Sequence, residues 1–553
     1  MIKGIIYLLT YFIIINFIVS KNIQSINNRT KKVALLPYFF TLPYNKRIKK
    51  SNLRSKRDCT FFTGIKPSGN IHLGNYIGCL HPIINVEATK KSSNNSSNNN
   101  ASAIKLKKII LIADLHCLTK LSNIYSLKDK VIDSVKIIIS LIIDMYKKKK
   151  SYVDVYINNI KLEHILQLIE KNNNNNNNNI NLYDEITSYT SQFHNDIKND
   201  NLNDDENHLE LSSQGGYSHR KELIKQKHYF YIFKQSDIKL HTCLYYLINS
   251  FTSINMLNSH IHIKMGGHNK SLALFSYPSL MLADILLYKP NYLIIGQDQI
   301  KNMEIMKKLC RKMNYHFKNV VKLPKIFFSK FYSEVMNLDG HKKMSKNDLI
   351  HNDNDTSKII YLLDDKKTIE NKIKKSKTDN YNILVYGQED RKEINNLINI
   401  FFFFYYHQIK NKKYINLNSN NNENINNNNG NISKLSDIYD EQQLFLNNNY
   451  MQHNYLNDFT NNHNFANYKQ NNINPNFNQN IINNILHSYN NNYSKFKYDL
   501  SQLLYNHFLV TKRYYNSFNS RHDIIHTILK NGKMCVKKRA SKIYKVIKRK
   551  LNI

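Results

Sequence analysis

Apolar runs that end in polar residues recur along the chain, and they predict a parallel β-sheet. One run covers residues 60–64, and a second covers residues 107–114 and ends in an acid. A third covers residues 292–296 and leads into Gln297-Asp298-Gln299. Strands buried on both faces of a parallel sheet are apolar throughout. Polar residues directly after such strands are typical of a doubly wound α/β fold with its site at the carboxyl edge.

Beyond residue 358 the apolar spacing becomes helical, which predicts an all-α region. The apolar positions that carry this spacing are Ile369, Ile373, Leu397, Ile398, Leu503, Leu504, Phe508 and Leu509. The final 21 residues, 533–553, carry nine basic side chains and no acid. On a helix they would form a positive face that either binds phosphate or is only solvated.

Three asparagine-rich stretches interrupt these patterns, at about residues 90–103, 151–226 and 412–490. Such stretches bury too little apolar area to offset the entropy of ordering them, so we expect disordered surface loops. The remaining chain suffices for two domains. We place an α/β domain at residues 58–358 and a helical domain at residues 359–553.

The first 57 residues have the composition of a targeting leader. Residues 1–20 combine Lys3 with an apolar stretch at residues 5–19, which is typical of a signal peptide, with a single-span anchor as the alternative. Residues 21–57 contain 11 Lys and Arg and no acid, which is typical of a transit peptide. Together they predict a two-step route into an organelle.

The charge balance predicts an anionic partner. The 553 residues include 79 Lys and Arg against 41 Asp and Glu, a formal net charge of +38. Nucleic acid and a membrane surface both fit this charge. A hydrophobic content of 41% excludes a wholly disordered chain. The six cysteines lie far apart without a CxxC pair, which argues against a structural zinc site or a disulfide framework.

The first motif with chemical content covers residues 62–76 and reads Phe-Thr-Gly-Ile-Lys-Pro-Ser-Gly-Asn-Ile-His-Leu-Gly-Asn-Tyr. Its glycines let a nucleotide approach the backbone, and N–H groups at a helix start hold phosphate. His72 and Asn75, three residues apart, would face the same way and donate to phosphate or ribose oxygens. A purely structural turn before a helix is the alternative.

The second motif is Lys-Lys-Met-Ser-Lys at residues 342–346, on a loop that follows Leu338-Asp339-Gly340. Mobile lysines at such a loop neutralise a pyrophosphate as its charge develops. In a chain this rich in lysine, the motif also occurs by chance.

In this order, the two motifs resemble the signatures of class I aminoacyl-tRNA synthetases. Further blocks resemble the tryptophanyl-tRNA synthetase family: residues 113–119, Gln235-Ser236-Asp237 with His241, residues 277–288 (YPSLMLADILLY), residues 296–299, 362–365, 368–379 and 493–515. With its leader and inserts, the chain resembles the apicoplast-targeted form of a malaria-type parasite.

The resemblance implies a Rossmann-type catalytic domain with a parallel sheet, followed by a helical domain that binds the tRNA anticodon. It implies tryptophan–tRNA ligase activity with ATP and Mg²⁺, the metal being held by the ATP phosphates and by no protein ligand set. Expected partners are tRNA(Trp), tryptophan and a second copy of the chain. The expected location is a plastid-like organelle, the apicoplast, with the cytosol as a second location and no stable membrane association after processing.

The resemblance also implies roles for individual residues. Catalysis falls to His72, Asn75, Lys343 and Lys346. The residues expected to bind ATP are Lys66, Pro67, Ser68, Gly74, Asn75, Gly296, Gln297, Asp298, Lys343, Met344, Ser345 and Lys346. The residues expected to bind tryptophan are Phe62, Tyr277, Met281, Asp284, Ile285, Ile295 and Gln299, with Leu293 as a further wall of the ring pocket. Among them Asp284 would accept the indole N–H.

Some positions depart from the family pattern, and alternatives stay open. Lys66 stands where the family usually has Gln, Gln297 replaces an acid, and Asn347 replaces Ser. The enzyme alternatives are a tyrosyl-tRNA synthetase and a small nucleotidyltransferase. The non-enzymatic alternative is a membrane-anchored RNA-binding protein.

Overall fold

The structure is a computed structural model. It describes residues 59–87, 104–119, 125–150, 153–171, 226–258, 271–318, 320–327, 335–340, 343–344, 356–381, 383–388, 390–418 and 479–553. The predicted leader (residues 1–57) and the predicted insert at residues 90–103 lie outside the described residues. Within the described ranges, no helix has both the length and the hydrophobicity that a membrane crossing requires.

Seven strands form one sheet in the order β4-β3-β5-β2-β1-β6-β7 within the described residues. Every pair is parallel except β3 with β4. The strands are β1 (Cys59–Ile65), β2 (Ile104–Ile112), β3 (Val153–Ile157), β4 (Ile160–Lys161), β5 (Gln226–Lys234), β6 (Tyr292–Ile294) and β7 (Lys325–Phe327). The three strands predicted from apolar runs are confirmed as β1, β2 and β6. The chain crosses from β5 past β2 and β1 to β6, so β1 has parallel neighbours on both sides. In a doubly wound sheet, ligands bind at the carboxyl end of the strands where the strand order reverses in this way.

The helices cover both faces of the sheet and the carboxyl-terminal part of the chain. Helix α1 (Leu73–Asn75) continues as a π-helix (Tyr76–Leu80) into α2 (His81–Asn85). The others are α3 (Leu127–Lys149), α4 (Leu162–Lys171), α5 (Leu240–Asn249), α6 (Ile254–Asn258), α7 (Leu272–Phe275), α8 (Tyr277–Leu286), α9 (Ile300–Phe317), α10 (Lys366–Lys374), α11 (Lys392–Asn418), α12 (Gln479–His487), α13 (Tyr493–Ser517) and α14 (His522–Lys550). The helical character predicted beyond residue 358 is confirmed.

The predicted insert at residues 151–226 is wrong at its amino-terminal end. Residues 153–171 form β3, β4 and α4, and the apolar residues of β3 are buried. Asn158 and Asn159 link β3 to β4 with φ values of 50° and 68°. Positive φ at both central residues defines the hairpin turn that asparagine favours. The insert predicted at 412–490 is likewise too long, because α11 reaches Asn418 and α12 begins at Gln479.

Residues 57–553 form one compact unit, and the predicted boundary at residue 358 stays a prediction. Helix α14 packs against β5 and α5 of the α/β part. Its residues Val536, Ala540 and Ile547 belong to the same buried apolar cluster as Phe62 and Ile285. The sheet and the carboxyl-terminal helices therefore share a core.

Helix α14 approaches β5 so closely that only glycine fits at the contact. Asn158 is fully buried; its Nδ2 donates to the carbonyls of Ile232 (2.9 Å) and Ile528 (2.8 Å), and its Oδ1 accepts from the Ile232 N–H. A Cβ at Gly532 would lie 2.0 Å from the Ile232 carbonyl oxygen. Backbone of α14 and β5 thus meet directly, with Asn158 joining them.

We expect Gly532→Ala to lower the free energy of unfolding by about 1–3 kcal/mol, because the added methyl forces α14 away from β5. Urea unfolding followed by circular dichroism measures this change. Gly78→Ala is the control, since a Cβ at Gly78 meets nothing within 4 Å. An equal stability of Gly532→Ala and wild type would contradict the close contact.

Candidate active site

The carboxyl ends of β2 and β5 are tied together by Asp114. This buried carboxylate accepts hydrogen bonds from the backbone N–H of Ser236 (2.9 Å), the hydroxyl of Ser236 (2.5 Å) and the N–H of Leu115 (3.0 Å). The Leu115 N–H also donates to Oε1 of Gln235 at 3.1 Å. The turns that follow the two strands are thereby held in one fixed arrangement at the sheet edge.

Asp284, on α8, lies at the centre of a buried polar cluster beside these turns. Its Oδ1 accepts from Nδ1 of His241 (2.6 Å) and from Nε2 of Gln235 (2.8 Å). Its Oδ2 accepts from Nε2 of His116 (2.9 Å) and from the same Gln235 nitrogen (2.9 Å). Burial alone would raise the pKa of Asp284, but His241 and His116 outweigh burial and lower this pKa. The carboxyl group is therefore an anion at neutral pH.

A buried tyrosine extends this cluster. Nε2 of His241 lies 2.8 Å from the hydroxyl of Tyr288. Both side chains are fully buried. Burial, and then the charge of Asp284, raise the pKa of Tyr288 well above its usual range, so the phenol keeps its proton. The order Tyr288, His241, Asp284 forms an unbroken chain of hydrogen bonds.

Apolar side chains predicted to surround a ring are brought together next to Asp284. Phe62, Ile285, Leu293 and Ile295 belong to one buried cluster, and Met281 packs against it. The ring of Phe62 stacks on that of Tyr288, with the centroids 5.9 Å apart. An acceptor oxygen enclosed by such a cluster selects a flat apolar ligand that carries one donor.

Tyr277 and Gln299 are two further residues expected to bind tryptophan. The ring of Tyr277 contacts that of His116, with centroids 4.3 Å apart. Burial, followed by the charges of Asp284 and Asp298, raises the pKa of Tyr277. Gln299 donates to Oδ2 of Asp298 at 2.7 Å and accepts from Asn302 at 2.8 Å. Tyr277 thus borders His116, a partner of Asp284, and Gln299 belongs to the turn after β6.

The glycine in α1, Gly74, lies against the second motif. A Cβ at Gly74 would lie 3.0 Å from the ring of His72 and 3.5 Å from the backbone oxygen of Met344. Asn75 accepts the backbone N–H of His72 at 3.4 Å, so its side chain caps the helix start. The sequence motifs, about 270 residues apart, are therefore neighbours in space.

A cation from the second motif contacts the turn after β6. Nζ of Lys343 lies 2.8 Å from Oδ1 of Asp298. A Cβ at Gly296 would lie 2.5 Å from this same oxygen, so glycine leaves the room that Asp298 occupies. The Cys79 thiol lies close by, and burial, followed by the charge of Asp298, raises its pKa to about 11. The π-helix, the turn after β6 and the lysine loop thus converge.

Lys66, which departs from the family pattern, extends across to the turn after β2. Its Nζ donates to the hydroxyl of Thr119 at 3.2 Å. Pro67 and Ser68 form a tight turn, in which the Ser68 N–H donates to the Lys66 carbonyl. Ser345 and Lys346, as well as the side chain of Gln297, lie outside the described residues, so their predicted roles stay predictions.

The lysines and the glycine-containing turns at this sheet edge fit a nucleoside triphosphate. Two ammonium groups, Lys66 and Lys343, border turns that contain Gly74 and Gly296, and each glycine leaves room for a polar neighbour: the His72 ring at Gly74 and the Asp298 carboxylate at Gly296. Within the described ranges, no three His, Cys, Asp or Glu side chains are grouped as a metal site.

The sequence motifs assign no role to four residues of this site: His116, Gln235, His241 and Tyr288. All four lie in blocks that carry the family resemblance. His116 and Gln235 follow the ends of β2 and β5, and this position at the sheet edge is the signal that could have identified them. Tyr288 carries no comparable signal, because a tyrosine at the end of an apolar helix is typical of a core position.

The sequence profile of the family described as "tRNA synthetases class I (W and Y)" matches residues 54–199 and 185–429 of the chain. Together the two matches cover more than half of the 553 residues and include both motifs.

Individual relatives agree with this profile. The chain is 40% identical over 176 residues to the tryptophan–tRNA ligase of Rickettsia conorii, covering 31% of the chain and 52% of the relative. It is 38% identical over 179 residues to that of Prochlorococcus marinus, covering 31% and 52%. The chain thus spans about half the length of the curated relatives it matches. The tryptophanyl-tRNA synthetase structure from Mycoplasma pneumoniae superposes with a TM-score of 0.53 at 17% identity, over 90% of this chain and 98% of that one, which shows a shared fold.

We expect Asp284→Asn to lower the free energy of unfolding by about 1–3 kcal/mol at neutral pH, because the amide cannot accept all the donors of the cluster. The lowered pKa of Asp284 means that its charge stabilises the folded protein above the unfolded value and ceases to do so as the pH falls through the folded value. The difference between wild type and variant should therefore shrink toward acid pH. Because the folded pKa of Asp284 lies below its usual value of 3.8, urea unfolding from pH 7 down to about pH 2 measures this loss. A difference that grows on acidification would contradict the assignment.

Proposed function

We propose, since the chain belongs to the family of class I tRNA synthetases (W and Y), that it is an ATP-dependent tryptophan–tRNA ligase. The observation that carries the proposal is Asp284, a buried anionic acceptor at the edge of an apolar cluster. The indole of tryptophan has one N–H donor on a large flat apolar ring and matches this arrangement. The names of the curated relatives support the choice of tryptophan.

The proposed chemistry needs no side-chain nucleophile. The tryptophan carboxylate attacks the α-phosphorus of ATP, the bond to the β-phosphate oxygen breaks, and pyrophosphate leaves. The adenylate formed is then attacked by a hydroxyl of the terminal tRNA ribose, which releases AMP. The protein's contribution is to position the reactants and to stabilise charge. Magnesium, when bound to the phosphates, would neutralise part of the same charge.

Roles for the protein groups follow from their positions. Asp284 orients the indole, and Tyr277 and Gln299 are available to the amino group. Lys343, next to Asp298, stabilises the negative charge that moves onto the leaving pyrophosphate. Gly74 leaves room for the His72 ring and the Met344 carbonyl beside the start of α1, where the phosphates would bind. We propose Lys346 as a second cation on the same loop, by analogy with its motif.

For the tRNA, we propose the basic face of α14 as a contact surface. Lys538, Lys542 and Lys545 are spaced for one side of this helix, and all three are exposed. Regularly spaced ammonium groups suit the phosphates of an RNA backbone.

For a second copy of the chain, exposed apolar side chains on neighbouring helices offer a surface: Tyr246, Ile254 and Leu272. A protein of this charge and leader would serve translation in a plastid-like organelle.

The proposal is tested by ATP–pyrophosphate exchange with each amino acid in turn. We expect exchange with tryptophan and far less with tyrosine; exchange driven by tyrosine alone would make the chain a tyrosyl-tRNA synthetase. Because the chain contains no Trp, the change in the indole fluorescence of tryptophan on binding is measured without a protein background. Asp284→Ala should abolish this binding signal while ATP binding persists. Unchanged tryptophan affinity in Asp284→Ala would contradict the role of Asp284.

The tRNA surface is tested by exchanging Lys538, Lys542 and Lys545 for Gln. We expect weaker tRNA binding, a smaller salt dependence by about one logarithmic unit per phosphate contact, and unchanged pyrophosphate exchange. A matched control exchanges Lys301, Lys308 and Arg311 on α9 for Gln. Equal losses in both triple variants would show a general charge effect and refute a specific α14 contact.

A further inference from the structure

The two oxygens of Asp284 are held by unequal partners. Oδ1 accepts from His241, and Oδ2 accepts from His116, while Gln235 donates to both. His241 is fixed at both ring nitrogens, because Nε2 contacts Tyr288. The other nitrogen of His116, Nδ1, is buried and has no hydrogen-bond partner among the described residues. His116 is therefore the less firmly held of the two rings.

We propose that Tyr288 and His241 are positioning residues that keep Oδ1 of Asp284 permanently engaged, so that the indole N–H of tryptophan binds Oδ2 in place of His116. This inference rests on the proposed function and extends it. It assigns tryptophan selectivity to a buried pair that does not itself touch the substrate.

The direction of the hydrogen bonds follows from the distances. Nδ1 of His241 lies 2.6 Å from a carboxylate oxygen, which can only accept, so Nδ1 carries a proton. Nε2 lies 2.8 Å from the hydroxyl of Tyr288, which can donate to this nitrogen or accept from it. Tyr288 therefore partners Nε2 in either role, while Nδ1 keeps its proton and donates to Asp284. The opposite tautomer would place two acceptors 2.6 Å apart.

Packing prevents this pair from adjusting. The ring of Tyr288 lies between Phe62 and Phe233, with centroid distances of 5.9 and 5.2 Å. Tyr288 and His241 are both fully buried. Because two aromatic neighbours hold the Tyr288 ring, its hydroxyl keeps its position against His241, and His241 keeps its position against Oδ1 of Asp284. The Asp284 carboxylate therefore keeps its orientation.

His116 is in a different situation. It lies on the short 3₁₀ helix Leu115–Thr119, and its ring contacts Tyr277 on the side of the cluster toward Asp298. Loss of its contact with Oδ2 leaves the Oδ1 contacts intact. An incoming N–H donor replaces one donor by another, so the charge of Asp284 stays satisfied throughout.

The test compares tryptophan with β-(3-benzothienyl)alanine, an analogue of nearly the same shape in which sulfur replaces the indole N–H. Pyrophosphate exchange is measured for wild type and Tyr288→Phe. We expect Tyr288→Phe to raise the KM for tryptophan roughly tenfold, with kcat little changed, because Asp284 no longer presents Oδ2 correctly. The KM for the analogue should stay the same. A structural defect would instead affect both substrates equally.

Two further variants sharpen this test. His241→Asn keeps an N–H donor near the position of Nδ1 and should retain the preference for tryptophan, whereas His241→Ala should lose it. Tyr146→Phe is the matched control, since it removes another tyrosine hydroxyl bond, to Glu163 at 2.5 Å, away from the site. It should leave both KM values unchanged.

The outcomes separate the inference from the proposed function. If wild type does not activate tryptophan, the proposed function is wrong and the inference falls with it. If wild type activates tryptophan but Tyr288→Phe changes both substrates equally, or neither, the inference alone is overturned. It is likewise overturned if His241→Asn discriminates no better than His241→Ala.

Discussion

One buried carboxylate, Asp284, imposes the constraint on which the site depends. Burying an unpaired carboxylate costs several kcal/mol, so the fold must supply donors at fixed positions. They come from separate elements: His116 follows β2, Gln235 follows β5, and His241 lies on α5. The strand ends and the two helices α5 and α8 therefore hold one another in place. The sheet edge beyond β1 keeps its shape because moving any one of these elements takes a donor away from the buried charge of Asp284.

The sheet edge carries two kinds of electrostatic environment side by side. Around Asp284 the surroundings are apolar, with a single anion that recognises one donor. Around the start of α1 they are cationic and glycine-rich, with Lys343 beside Asp298 and the backbone of Met344 against Gly74. The first environment suits an aromatic amino acid and the second suits a triphosphate. Their adjacency is what the proposed adenylate formation requires, since a carboxylate and an α-phosphate must lie within reach of each other.

Much of this arrangement follows from sequence, and the exceptions have physical reasons. The strands β1, β2 and β6 are apolar runs that end in polar residues, so their positions and the location of the site at their carboxyl ends could be predicted. Composition alone predicts that strand β3 belongs to the asparagine-rich insert at residues 151–226. The pair Asn158-Asn159 after an alternating run is nevertheless a hairpin signal. The chain of Tyr288, His241 and Asp284 could not be predicted, because it joins residues from separate elements through contacts that no local pattern encodes.

The most direct measurement is a crystal structure of the protein with bound tryptophan. We expect the indole nitrogen within hydrogen-bond distance of Oδ2 of Asp284, with His116 displaced and with His241 still between Oδ1 and Tyr288. An indole nitrogen bonded to any other group would contradict the role of Asp284. A structure in which His241 leaves Asp284 while His116 stays would contradict the positioning role of Tyr288 and His241.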